Sequence, residues 1–181
     1  MRLKFFILVN LIAALIFLGF IVKVRAANGD TPEPMMKITC DKFAHNGLIP
    51  TKYTCMGANI NPPLTINDIP PKAQSLVLIV DDPDAPGGTW VHWVVYDMPV
   101  KTKIDENTVP GKIGINDFRD THYGGPCPPS GKHRYCFKLF ALDTKLNLPE
   151  GQKKSQVEEA MKGHVLATDE LVGLYSKDAT L

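Results

Sequence analysis

Three carboxylates and two histidines stand out by type and position. Asp81, Asp82 and Asp84 lie in the run DDPDAPGG (81–88), directly after a continuous apolar stretch. His92 follows Trp90 by two residues, and His133 opens a His-Arg-Tyr triplet with Arg134 and Tyr135, after the stiff loop GPCPPSGK (125–132). An Asp beside a His makes a hydrogen-bonded ionisable pair. A protonated His together with backbone N–H groups of a Gly/Pro loop makes a seat for an anion such as a phosphate oxygen. Such pairs are also suited to acid–base work, so a hydrolase built on Asp82 and the histidines is the alternative chemistry. Either needs the two loops to meet, which happens when they leave the ends of neighbouring strands.

Each feature has a plainer alternative. Asp-Pro runs are ordinary turn chemistry. His92 alternates with apolar neighbours and could be a core histidine. Trp90 and Trp93 are of the residue types that fill cores. Arg134 could simply bridge one of the aspartates, and His164 could sit on a packed helix face. Other chemistries find less support. No G-x-S-x-G elbow, EF-hand spacing, H-x-H, H-E-x-x-H or Gly-rich phosphate loop is present, so neither a metal nor a nucleotide cofactor is expected. Cys127 with His133 would form a thiol dyad only with a third, orienting group, and the sequence indicates none.

The elements that would position these residues are mostly strands. Met36–Phe43 alternates well enough for a first strand. Ser75–Val80 (SLVLIV) and Trp90–Met98 (WVHWVVYDM) read as buried central strands joined by the Asp/Pro/Gly turn. Arg134–Leu142 alternates, with Tyr135, Phe137, Leu139 and Ala141 on one face and Arg134, Cys136, Lys138 and Phe140 on the other. A helix is expected from Ser155, with Ser155 and Glu158 as a capping box and Val157, Ala160, Met161, His164 and Val165 at helical spacing. A second amphipathic stretch, Thr168–Tyr175, follows. The expected class is mainly β, with long Pro-rich loops and helix confined to the C-terminal end.

The chain of 181 residues suffices for one domain with a core of its own. Arg2 and Lys4 precede an apolar run from Phe5 to Val22, and Val24-Arg25-Ala26 offers a small-residue cleavage site. Residues 1–26 thus read as a signal peptide, with an uncleaved membrane anchor over 5–22 as the alternative. Residues 27–35 form a polar linker and 36–181 the domain. Cleavage removes four cations and no carboxylate, taking the formal net charge from +1 to −3. With no basic stripe left, nucleic acid is not an expected partner. The expected location is periplasmic or secreted, or the inner membrane if the anchor is kept. Cys40, Cys55, Cys127 and Cys136 all fall in the exported part, as disulfides of any of three connectivities or as buried thiols.

The motifs DPDAP, Trp-x-His and the Gly-Pro-rich loop ending in His-Arg-Tyr, in that order, resemble the phosphatidylethanolamine-binding protein family, also called Raf kinase inhibitor-like proteins, and most closely its bacterial YbhB/YbcL branch. The likeness runs from about Ile38 to Tyr175. It implies a central, antiparallel-rich sheet packed on a smaller one in a Greek-key-like arrangement. It also implies a pocket for phosphate, a phosphoryl or phospholipid head group, or another anion, with binding rather than catalysis and no cofactor. Carried over, the ligand-binding residues are Asp82, Pro83, Asp84 and Pro86 from the first loop, Trp90 and His92 from the second strand, and Gly125, Pro126, His133 and Tyr135 from the third motif, with Tyr175 in a lid position. Phe118–Tyr123 carries Arg119 and His122 where relatives often have glycines, which implies a more polar rim. The resemblance further implies a Cys55–Cys127 bridge across the rim, leaving Cys40 and Cys136 to pair. It implies a homodimer and, as a further role, modulation or inhibition of a partner protein; a protein-interaction module of protease- or kinase-inhibitor type is the other alternative.

Overall fold

The computed structural model describes residues 35–177. The expected signal or anchor segment 1–26 and most of the expected linker lie outside the described residues. The described chain is mainly β, with two sheets and one helix late in the sequence.

A small antiparallel sheet joins β1 (Lys37–Thr39), β3 (Leu64–Asn67) and β6 (Lys103–Ile104). A larger one has the order β2-β9-β8-β4-β5-β7, from β2 (Gly47–Leu48), β9 (Val165–Ser176), β8 (Lys132–Leu142), β4 (Ser75–Asp82), β5 (Trp90–Met98) and β7 (Lys112–Ile113). All its pairings are antiparallel except β2 with β9. The first strand is shorter than Met36–Phe43, since pairing with β3 covers only Lys37–Thr39.

Every residue of β4 is buried because both of its faces are covered. Leu76, Leu78 and Val80 pack with Ile38, Leu64 and Ile66 of the small sheet and with Phe137 and Leu139 of β8. Val77 and Ile79 face the other way, towards Val157 and Met161 of α1 (Lys154–Met161). The alternation expected for β8 holds: Tyr135, Phe137, Leu139 and Ala141 enter the inter-sheet core.

Two expectations about the C-terminal part are corrected. Thr168–Tyr175 is no amphipathic helix but the body of β9, paired with β8 from Lys132↔Ser176 to Leu142↔Val165. Backbone pairing along a long central strand overrides a local helical pattern that only its neighbours in sequence support. The helix also starts earlier than the Ser155 box. Lys153 is its N-cap, and its backbone N–H donates to Gln156 Oε1 at 2.9 Å. Of the expected helical positions, Val157 and Met161 are buried, while His164 is exposed and Val165 already belongs to β9.

Candidate functional site

The C-terminal end of β4 and the N-terminal ends of β5 and β8 are neighbours in the large sheet, so the Asp, His and His-Arg-Tyr motifs meet at one edge. Their faces decide what they do. Asp81 and Asp82 close β4 and, being consecutive, point to opposite sides of the sheet. Asp81 is fully buried on the helix side, where Lys138 Nζ lies 2.9 Å from Oδ1 and Lys154 Nζ binds Oδ2. Asp82 is on the other side, where its Oδ2 receives His133 Nδ1–H at 2.7 Å; both side chains are buried. Its Oδ1 accepts the N–H of Asp84 at 2.8 Å, which folds the chain into the turn after β4.

His92 owes its position to a β-bulge. Val80 pairs with Trp93 and Asp81 with Val91, so His92 is an extra residue on β5 with no partner on β4. A bulge re-aims side chains at a strand end. Here Val91 joins the helix-side core while Trp93 joins the inter-sheet core. His92 Nδ1 donates to the Gly124 carbonyl at 2.6 Å, and Gly124 N–H returns a bond to the His92 carbonyl at 3.0 Å. Nε2 is the ring nitrogen left over. Burial pushes the His92 pKa below its usual 6.5 despite the Gly124 carbonyl, which pulls it up, so the ring is held neutral.

Tyr135 packs edge-on against His92, ring centroids 5.1 Å apart, and is fully buried; among the described residues its hydroxyl has no hydrogen-bond partner. Burial, and then the Asp82 charge, hold it well above the ordinary tyrosine range, so it stays a proton donor. Phe118, which sequence reasoning passed over, sits edge-on to both His92 (5.3 Å) and Trp90 (5.4 Å) and walls the site with aromatic rings. Nothing local in FRDTHY marks it; only the fold brings it there.

The Gly-Pro loop is fastened from behind. Cys55 and Cys127 form a disulfide, Cys55 N–H donates to Pro126 O at 3.1 Å, and Gly125 N–H donates to Asn59 Oδ1 at 2.8 Å. Gly125 is required for this closeness, since a Cβ there would lie 2.6 Å from both Asn59 Oδ1 and Tyr53 O. A cavity of about 550 Å³ lies against α1, and another of about 530 Å³ opens beside Gly124, Gly125, Cys127 and Phe118.

Asp82, His92, Gly125, Pro126, His133 and Tyr135 are thus buried at one end of the sheet, with Trp90 half outside. Asp84 behaves differently: both its oxygens are taken by Arg134, at 2.7 and 2.9 Å, which holds its carboxyl down to about 2. It fixes the turn from outside, the bridging role considered for Arg134. Pro83 is half-buried in that turn and Pro86 is exposed. Tyr175 is buried opposite His133 on β9. The rim is polar on one side only: His122 lines the cavity beside Gly124, while Arg119 faces the cavity against α1.

The expected Cys40–Cys136 pair is corrected, for both are free thiols. Cys40 packs against the inter-sheet core, whereas Cys136 alternates with Tyr135 and Phe137 to the opposite face of β8, so the sheet stands between them. Burial pushes the Cys136 thiol up to about 11. Among the described residues no group of three or more His, Cys, Asp and Glu side chains could hold a metal ion.

An arrangement of two sheets with a buried His/Asp/Tyr cluster at the end of the larger defines a class, and the comparisons agree on which. The phosphatidylethanolamine-binding protein family profile matches residues 39–176, and the chain belongs to that family. A UPF0098 protein of Methanothermobacter thermautotrophicus is 47% identical over 150 residues, 78% of this chain and 99% of the relative. The crystal structure of a phosphatidylethanolamine-binding protein homologue from Chlamydia trachomatis matches with TM-score 0.77 and 44% identity, over 80% of this chain and 99% of that one. That of E. coli YbcL matches with TM-score 0.73 and 28% identity, over 79% and 99%.

Proposed function

We propose that the protein binds a phosphate, a phosphoryl head group or another small anion in the pocket of Asp82, His92, His133 and Tyr135, and does not transform it. One observation carries this reading. Both histidines are anchored through Nδ1, His133 to Asp82 and His92 to Gly124, so each has a single ring nitrogen left to offer, beside a buried tyrosine hydroxyl whose proton has no acceptor among the described residues. The tyrosine hydroxyl can donate to an anion directly, and each histidine Nε2 donates to it once the ring takes up a proton, which the charge of a bound anion favours. The name of the family, phosphatidylethanolamine-binding protein, supports the phosphoryl head group as the form the anion takes. Binding without turnover is supported by Cys127, the cysteine of the Gly-Pro loop, being tied up in a disulfide rather than free as a nucleophile. Action on a partner protein would then be set by whether the pocket is filled. The basic, apolar and small-residue order of residues 1–26 supports export across a membrane.

The test is calorimetric titration of the full chain with inorganic phosphate, phosphoethanolamine and a nucleotide, beside a His92→Ala/His133→Ala variant. Saturable binding that the variant loses is expected. No binding of any of the three by folded protein would refute the reading. Release of inorganic phosphate from either organic ligand, lost in Asp82→Asn, would favour the hydrolase instead.

A further inference from the structure

The cavity of about 550 Å³ lies away from the pocket above, between the start of β5, the loop 115–119 and the start of α1. The loop 115–122 separates it from the cavity beside Gly124. Ile115, Asp117 and Arg119 line the α1 side, Phe118, Asp120 and His122 line the other, and Asn116 touches both. The partition is firmly built. Ile115 forms a parallel bridge with Lys153, its N–H donates to Gln152 O at 3.0 Å, and Asp117 exchanges two bonds with the backbone of Val91. The space is therefore present before any ligand arrives.

Its lining carries three cations, Arg119, Lys153 and Lys154, against two carboxylates, Asp117 and Glu158. Asp117 Oδ2 is occupied by the Val91 N–H at 2.7 Å, and the Glu158 carboxylate faces Lys154 at 3.7 Å. Lys154 itself is held from beneath by Asp81. Among the described residues, Arg119 and Lys153 have no ion-pair partner on this wall. Arg119 is held at φ +64° with its N–H donating to Asn116 O at 3.0 Å, so the root of its side chain is set. Ser155 adds a hydroxyl, and Val91 and Ile115 add an apolar wall. A volume of several hundred cubic ångströms is that of a small-molecule site rather than of a single ion.

The geometry points to this cavity as a second ligand site, for a small organic anion whose carboxylate or phosphate meets Arg119 and Lys153 and whose apolar body lies on Val91 and Ile115. Because Phe118 and Asn116 sit on the same partition, and Asn116 Nδ2 reaches the His92 carbonyl at 3.3 Å, an occupant here adjoins the first pocket through one shared loop.

The experiment is a two-dimensional amide NMR titration of the full chain with phenyl phosphate, and separately with inorganic phosphate. Saturating shifts are expected at Val91, Arg119 and Lys153–Ser155, at lower phenyl phosphate than inorganic phosphate. In Arg119→Ala/Lys153→Ala those shifts should need at least about tenfold more ligand, while the shifts around Asp82 and His133 keep their midpoint. The His92→Ala/His133→Ala variant should do the reverse, so failure of the first pocket is told apart from failure of the second. Absence of shifts at Arg119 and Lys153–Ser155, or their persistence unchanged in Arg119→Ala/Lys153→Ala, overturns the proposal. Equal midpoints for the two ligands there overturn the part played by the apolar wall.

Discussion

Asp81 and Asp82 are the same residue type, adjacent on one strand and both buried, yet they belong to different regions. Asp81 faces α1 and is met by two lysines. Asp82 faces the pocket and is met by one histidine, whose charge is conditional. The helix side is a closed ionic joint that ties strand to helix. The pocket side keeps a hydrogen-bonded imidazole with one ring nitrogen left to offer. A single step along a β-strand is enough to separate the structural use of a carboxylate from its use in binding.

The sharpest way to break this comparison is Asp81→Ala. Removing the buried partner of Lys138 and Lys154 is expected to cost about 2–3 kcal/mol, less than a fully buried pair because both lysines reach solvent. Urea denaturation would read this, and phosphate affinity should stay near that of the parent. Asp82→Asn should show the opposite pattern. Its single amide oxygen can accept from the Asp84 N–H or from His133 but not from both, so about one hydrogen bond is lost, about 1 kcal/mol and less than for Asp81→Ala, while phosphate affinity falls about tenfold, or about 1.4 kcal/mol, by calorimetry. Equal stability losses in the two variants would dissolve the distinction.

A third outcome concerns pH. His92 titrates lower in the folded chain than in the unfolded one, so the unfolded state binds more protons as pH drops below about 6.5. Stability should therefore fall from about pH 7.5 to about pH 5.5, and His92→Gln should flatten that part of the profile; an unchanged slope would remove His92 from the account. The smallest effect is expected for Arg134→Ala. Its pair with Asp84 is exposed, so the melting temperature should barely move, and the change should shrink further with added salt.

Much of this architecture is legible in residue patterns, for identifiable reasons. The apolar run of β4 reads as buried because both faces are covered, and β8 alternates because Tyr135 and Cys136 face different surroundings. β9 does not read as a strand. Its body, DELVGLY, has helical spacing, and its strand character comes from β8, whose partner residues lie roughly thirty to forty positions earlier in the chain. One local sign was available. Gly173 lies where a Cβ would meet the side chains of Ile49 and Phe43 within 3 Å, and a glycine inside an apolar stretch often marks such an approach. In the site, residue types and loop ends were readable, but the bulge at His92 was not, because it exists only as a mismatch between two strands. The same holds for Phe118, and for Asp84 turning outward to Arg134 rather than into the pocket. The two-residue strands β6 and β7 are too short for any period to show.

The bridge between Cys55 and Cys127 closes a ring of chain, with its ends 72 residues apart, that contains β3 to β7. A single cut by a protease in an exposed loop inside that ring, such as the one around Val100 or Val109, leaves two fragments that are still one molecule. The nicked protein would run as a single species without reductant and as two with it. Cys127, inside the Gly-Pro loop, and Cys55, behind it, would still be held within bonding distance of each other. The rim of the pocket is in this sense insured against breaks in the chain that builds the rest of it.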